Sequence, residues 1–504
     1  MKQFSYLLIG FVLLHHVNQV AWAEDWPMWG GDASRNMVST ETGIPHAFDI
    51  GQLNDDTDEV DLSTTKNVKW AVKLGSLAYG NVTVGQGKVL VGTNNEFPRN
   101  PNITGDRGVL MCFEEASGNF LWQLIVPKLK EAYDSDLGYL GICSSPTIEN
   151  ERVYIVTNRC EAVCLDLNGL GDGNDGPFTN EARYMAPKGE PPIGLGQTEA
   201  DILWVYDMRK ELDIHPHNIT SSSILIVNDR LFVTTSNGVD GTHETTPSPD
   251  APCLIALDKH TGTLLGTEQS GISQRMLHCN WSSPAYGMAN QQGVVVFGGG
   301  DGYCYGFDPL KLGENQSLVE LWRFNCIPEA YQKHKYTSAN GPSEIISTPV
   351  IHDGLAYACI GQDPENGDGA GFLACIDASK RGDITKNGAV WTYKKIRRSL
   401  STPSIVNDLL FIADYAGFVR CLDAKTGKEY WVHDTFSCIW GSTLAVDGKI
   451  YIGNEDGFLI VLKADKKKEV LATIDMGASV YSTPVVANGV LYVSTQTHLY
   501  AVEE

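Results

Sequence analysis

The sequence predicts an all-β fold: an eight-bladed β-propeller of four-stranded antiparallel blades, closed by an N-terminal strand completing the last blade. Three observations predict it. A segment of the form S-[ST]-P-x-[IV], a turn, an apolar run, then Leu-Asp and T-G-K-x-x-W recurs from about residue 80 to the C-terminus. The last two repeat intervals are 41 and 40 residues, the length of one propeller blade. The two ends of the chain also supply complementary parts of one repeat.

The copies are anchored at Val82, Pro146, Ile224, Pro284, Pro349, Pro403, Leu444 and Pro484, each in the Pro slot of the S-T-P element. The cleanest reads Ser401-Thr402-Pro403, then Leu409-Leu410-Phe411-Ile412, then Cys421-Leu422-Asp423-Ala424-Lys425-Thr426-Gly427-Lys428 and Trp431. Earlier intervals run from 54 to 78 residues, so inserted loops fall in the first five blades. Within a copy, short alternating runs such as Lys449 to Gly453 and Phe458 to Leu462 flank Asp456-Gly457, which reads as an antiparallel hairpin. Trp122, Trp204, Trp322, Trp391 and Trp431 mark outer strands, whereas blades three and seven carry Leu265 and Val470 near that slot. The eighth copy stops at Leu499-Tyr500-Ala501-Val502 without an outer strand, and Asn67 to Val72, with Trp70, offers the missing one. Closing the ring this way removes an exposed sheet edge.

Three parts follow along the chain. Residues 1–23, with Lys2, an apolar stretch from Tyr6 to Leu14 and Ala21-Trp22-Ala23, have the pattern of a cleaved secretory signal. Residues 24–66 form an N-terminal segment, and 67–504 the propeller, with an insertion at 168–200 in blade two. The apolar stretch is too short for a membrane span, and no cysteine precedes Cys112, so no lipid-anchored cysteine is expected. A periplasmic or secreted monomer follows. The formal charge of −23 argues against nucleic acid, whose phosphates need a basic face, and otherwise serves solubility.

Twelve cysteines in an exported chain suggest disulfides. Four of them, Cys112, Cys164, Cys375 and Cys421, precede the Asp or Glu of the Leu-Asp element by two residues, a slot that is Ala256 in blade three. Equivalent positions in different blades are too far apart to bridge, so these four read as small buried hydrophobes. The other eight have the freedom to pair.

The S-T-P and L-D-A-x-T-G-K-x-x-W repeat resembles that of the pyrroloquinoline quinone (PQQ)-like propellers, which include quinoprotein alcohol dehydrogenases and the outer-membrane assembly factor BamB. Trp26-Pro27-Met28-Trp29-Gly30-Gly31-Asp32 followed by Asn67-Val68-Lys69-Trp70 is similar to the start of that family's propeller. The resemblance covers almost the whole chain after residue 23 and implies the fold, since one fold serves many functions. The dehydrogenases of the family imply an adjacent Cys-Cys pair and sometimes a C-x-x-C-H haem segment. Neither occurs here.

In a propeller, residues just ahead of the inner strands gather at one channel mouth. That places together His215, His217 and Asn218, then His278, Asn280 and Trp281, then Glu344, Arg397, Arg398, Trp440 and Tyr481. Aromatic faces, two arginines and several imidazoles suit a planar, multiply charged anion, and PQQ is the cofactor that the resemblance implies. In the blade-two insertion, Asp166, Asn168, Asp172, Asn174 and Asp175 alternate with glycines and offer the hard oxygens that calcium takes. An acidic surface loop is the alternative there. His215-Pro216-His217 offers two imidazoles, for which the sequence locates no partner ligand. Two functions are carried forward. The first is an exported, non-catalytic binding or scaffold propeller of the cell envelope, BamB-like, with an envelope protein partner or a small anionic ligand. The alternative is a divergent PQQ-dependent quinoprotein dehydrogenase oxidising an alcohol or sugar.

Overall fold

The computed structural model describes residues 24–129, 135–276, 278–331, 343–364, 367 and 369–504. The signal pattern at 1–23 lies outside the described residues. Eight four-stranded antiparallel blades form the propeller, and blade four gains a short fifth strand, Gly382–Asp383, from the blade-five insertion. Blade one comprises Thr83–Gly85, Lys88–Asn94, Arg107–Glu114 and Phe120–Pro127, innermost to outermost. In blade eight the three C-terminal strands are joined by Val68–Lys73, paired antiparallel to His498–Val502 with Trp70 opposite Ala501.

Two-residue turns join the first and second strands. Gln86-Gly87, Asp353-Gly354, Asp447-Gly448 and Asn488-Gly489 all have both residues at positive φ, the conformation that matches strand twist in a tight hairpin and favours Asn, Asp and Gly. The second and third strands are almost wholly buried, and the apolar clusters lie between successive blades: Leu90, Leu110 and Trp122 of blade one pack with Val153, Ile155 and Val163 of blade two.

The repeat motif has a physical cause at that interface. Trp122, Trp204, Trp391 and Trp431 stand directly across from Cys112, Cys164, Cys375 and Cys421. A small residue opposite the indole leaves it room, and a β-bulge follows the slot in every blade. The register puts Gly266 and Ala472 in the Trp position of blades three and seven, next to the Leu265 and Val470 read from sequence. Indole N–H groups then reach carbonyls of the following blade, Trp70 to Glu115, Trp122 to Leu167, Trp204 to Lys259 and Trp431 to Asp465, whereas the buried Trp322 N–H has no such partner among the described residues. None of the twelve cysteines forms a disulfide, and eleven are buried.

The N-terminal segment is a belt across the ends of the inner strands. Val84 N–H of blade one donates to Trp26 O, Ile148 of blade two to Pro27 O, Tyr286 of blade four to Ala33 O, and Ile351 of blade five to Ser34 O. Ile405 of blade six donates to Asn36 Oδ1, and Ala445 of blade seven to Met37 O. Asn488 and Gly489 of blade eight donate to Glu41. Blade three is held by Arg35, whose fully buried guanidinium donates to Ser223 O, Ile224 O, Pro284 O and Trp29 O. Burial draws the Arg35 pKa down to about 9, partly offset by Asp32, so the group stays charged at neutral pH. The belt therefore touches all eight blades.

Candidate binding cup and histidine cluster

The channel opposite the belt is a cup of about 320 Å³ whose lining includes Trp29, itself part of the belt. Every blade contributes a polar side chain to its wall: Asn81, Ser145, Ser223, Ser283, Thr348, Thr402, Ser442 and Thr483. These are the hydroxyls of the S-T-P element, or their substitute in blade one. They also tie inner strands together, because Ser223 N–H donates to Ser283 Oγ, Thr402 to Ser442 Oγ, Ser442 to Thr483 Oγ1 and Thr483 to Asn81 Oδ1 at 2.7–2.9 Å. An inner strand has no ladder partner across the channel, so a short hydroxyl is the group that meets the neighbouring N–H.

The mouth has two unlike halves. On one side Tyr79 stacks on Tyr481 at 4.9 Å and meets Trp440 at 5.8 Å, and Tyr415 meets Trp440 edge-on at 5.5 Å. Burial pushes the Tyr79 and Tyr481 phenols up. Trp440 Nε1 donates to Glu455. On the other side His217, His243 and His278 gather beside Trp281, with ring centroids 4.6–5.2 Å apart among the imidazoles. Glu344 Oε1 lies 3.3 Å from His278 Nδ1, and Asp363 Oδ2 lies 3.8 Å from His278 Nε2. Burial first, then the neighbouring imidazoles of His278 and His243, pull the His217 pKa down to about 3, so that ring is neutral.

The structure brings some of the sequence-predicted residues together and disperses others. Asn218, Trp281, Trp440 and Tyr481 line the cup. His217, His278 and Glu344 form the buried half of the imidazole cluster. Asn280 is fully buried and works between blades, accepting from Gly300 N–H and donating to Asn237 O. Arg397 is exposed, with its backbone N–H on Asp414 and its guanidinium over the Phe418 ring. Arg398 is buried and donates to Gly367 O. Tyr79, His243 and Asp363 complete the mouth and were not anticipated. Tyr79 sits three residues ahead of the degenerate Pro slot Val82, which is a signal that was available. His243 comes from an irregular loop of blade three and carries none.

In the blade-two insertion, Asp166 Oδ1 accepts from Asn168 N–H, as Asp423 Oδ1 accepts from Lys425 N–H. Gly169 lies under the Trp122 ring. Asp166 to Gly169 is thus the repeat's turn after the third strand of the blade, which seats the preceding blade's tryptophan. Asn168 donates to Asp172 Oδ2, Asp175 N–H donates to Asp201, and Asp172, Asn174 and Asp175 are exposed.

Fold and cup together define a PQQ-like repeat propeller. A sequence family described as outer membrane protein assembly factor BamB matches residues 200–433 and 415–504; these cover more than half of the chain, which belongs to that family. The chain is 33% identical to quinoprotein alcohol dehydrogenase PedH of Pseudomonas putida over 84 residues, 16% of this chain and 14% of that protein. It is 30% identical to outer membrane protein assembly factor BamB of Moranella endobia over 104 residues, 18% of this chain and 26% of that protein. The chain therefore matches about a quarter or less of these relatives' length. Among solved structures, a europium-containing methanol dehydrogenase shares the fold with a TM-score of 0.61 at 11% identity, over 95% of this chain and 98% of that one. No helix among the described residues is long and apolar enough to cross a membrane.

PQQ is the cofactor implied by the quinoprotein relatives. It is an anion with several carboxylates, and such groups are met in proteins by Arg or Lys. The described cup lining contains neither, and its charged member is Asp363. The described lining residues do not fit PQQ in this cup.

Proposed function

We propose that the chain is a non-catalytic binding propeller of the cell envelope, a BamB-like scaffold whose partner is another envelope protein. The observation that carries this reading is the cup wall: hydroxyl and amide side chains from all eight blades, an aromatic half-rim and one carboxylate, with no cation among the described lining residues. Such a lining suits a neutral, hydrogen-bonding or weakly cationic group and opposes the multiply charged anion that quinoprotein chemistry needs. The membership of a family described by BamB and the likeness to the Moranella protein support an envelope role. The predicted signal at 1–23 is consistent with export. A divergent quinoprotein dehydrogenase is the second reading, favoured by the segment similar to PedH.

The test is calorimetric titration of residues 24–504 with PQQ, with and without calcium, alongside reduction of an artificial electron acceptor by alcohols and sugars. The expected result is no heat and no reduction. Micromolar binding, about −8 kcal/mol, together with substrate-dependent acceptor reduction would replace the scaffold with the dehydrogenase.

A further inference from the structure

We propose that His217, His243 and His278 form a three-imidazole site for a divalent transition metal, of the zinc type, at the rim of the cup. One ligand atom from each lies within 4.8 Å of the others. His217 Nδ1 is 2.8 Å from Val239 O. A carbonyl only accepts, so Nδ1 carries the proton, and Nε2 is the bare nitrogen of that neutral ring. That is the arrangement of a metal-ligating histidine, whose second nitrogen is fixed by a hydrogen bond to a backbone carbonyl or carboxylate. His243 Nε2 stands 2.9 Å from His217 Nε2. In a tetrahedral centre with bonds of about 2.0–2.1 Å, ligand nitrogens stand about 3.3 Å apart, and the observed spacings bracket that value. Glu344, whose carboxylate stands 3.3 Å from His278 Nδ1, places a negative charge behind the His278 ring. Asp363 lies 3.8 Å from His278 Nε2 and supplies a carboxylate to offset the ion's charge or fill the fourth position.

The three ligands come from three separate stretches. His217 precedes the inner strand of blade three, His278 precedes that of blade four, and His243 sits on an exposed hairpin closed by Asp240 N–H to Thr245 O. The backbone that carries this hairpin is threaded between the other two: Val239 N–H donates to His278 O, and a Cβ on Gly238 would meet His217 Cβ at 2.6 Å. Two buried imidazoles are thus preset, and the third, His243, is carried by the exposed hairpin. A nitrogen-rich site selects zinc, copper, nickel or cobalt over calcium and magnesium, which prefer oxygen. The bound ion clips the blade-three loop to the cup's rim. The site stands whatever the cup holds.

The experiment strips residues 24–504 with a chelator, re-adds zinc, dialyses, and measures metal by mass spectrometry, with cobalt(II) as a spectroscopic substitute. The expected result is one zinc per chain and the visible absorption of tetrahedral cobalt. Both are lost in His243→Ala, whose metal-free unfolding midpoint matches the parent because an exposed ring has been removed. Glu344→Gln is expected to bind zinc about 10-fold more weakly. Absence of stoichiometric zinc in the parent, or equal retention by His243→Ala, overturns the site.

Discussion

Trp391 of blade five lies flat against Gly427 of blade six while its indole N–H donates to Ala424 O at 2.9 Å. Gly427 has φ +70, and a Cβ there would stand 2.6 Å from the indole ring. The glycine of the T-G-K element is therefore the seat of the preceding blade's tryptophan. Gly118 under Trp70 and Gly262 under Trp204 repeat the relation.

That contact separates two costs that usually come mixed. Gly448 has the same φ of +70 with nothing within 4 Å of a Cβ. Gly448→Ala is expected to cost about 1 kcal/mol, from backbone strain alone. Gly427→Ala adds displacement of Trp391 and should cost about 2–4 kcal/mol. Urea unfolding of the two variants checks the difference; equal midpoints would mean that the indole yields without cost.

Arg35 is the buried centre of the belt. Arg35→Met keeps much of the volume but takes the guanidinium donor from the carbonyls of Trp29, Ser223 and Pro284, and from that of Ile224, which keeps the Thr147 hydroxyl. The expected loss is about 3–5 kcal/mol, read as a lower unfolding midpoint.

Glu268 gives the fold a pH signature. Burial pushes its carboxyl up to about 7, against backbone N–H bonds from Cys253 and Ser270; Asp301 pushes it up further and Arg275 draws it down. Its folded pKa lies above the unfolded value, so the folded state binds more protons between the two. Stability from this group is complete below about pH 4.5 and is lost as pH rises to about 7, by on the order of 3 kcal/mol. Glu268→Gln should flatten that part of the stability profile; an unchanged slope would assign it to another group.

The thiols make a further prediction. Eleven cysteines are buried, and burial lifts groups such as Cys143 and Cys359 to about 12, which suppresses the reactive thiolate. Iodoacetamide on the native protein should modify Cys438 alone, and dithiothreitol should leave the unfolding midpoint unchanged. Labelling at several positions would place the blades in exchange with open forms.

The blades were legible because the residues that make them repeat. Asp423, Gly427 and Trp431 recur at fixed spacing since each blade needs the same turn, seat and staple. The cup was legible in part, because Trp281, Trp440 and Tyr481 keep a fixed offset from the inner strand. Asn280 shares that neighbourhood, yet its side chain turns into the blade interface. His243 was invisible because an irregular loop has no period to announce where it returns. The belt was equally hidden, since most of its bonds run through backbone carbonyls that any sequence carries.

The belt imposes an order on folding. Its bonds join residues 26–41 to partners as distant as Ile405, Ala445 and Asn488, and such long-range closures come late because the intervening chain must be arranged first. The part of the chain synthesised earliest after residue 23 is thus the last to be seated. Until the eighth blade exists, its apolar residues, Trp26, Trp29 and Met37, lack part of the cluster that buries them in the finished ring.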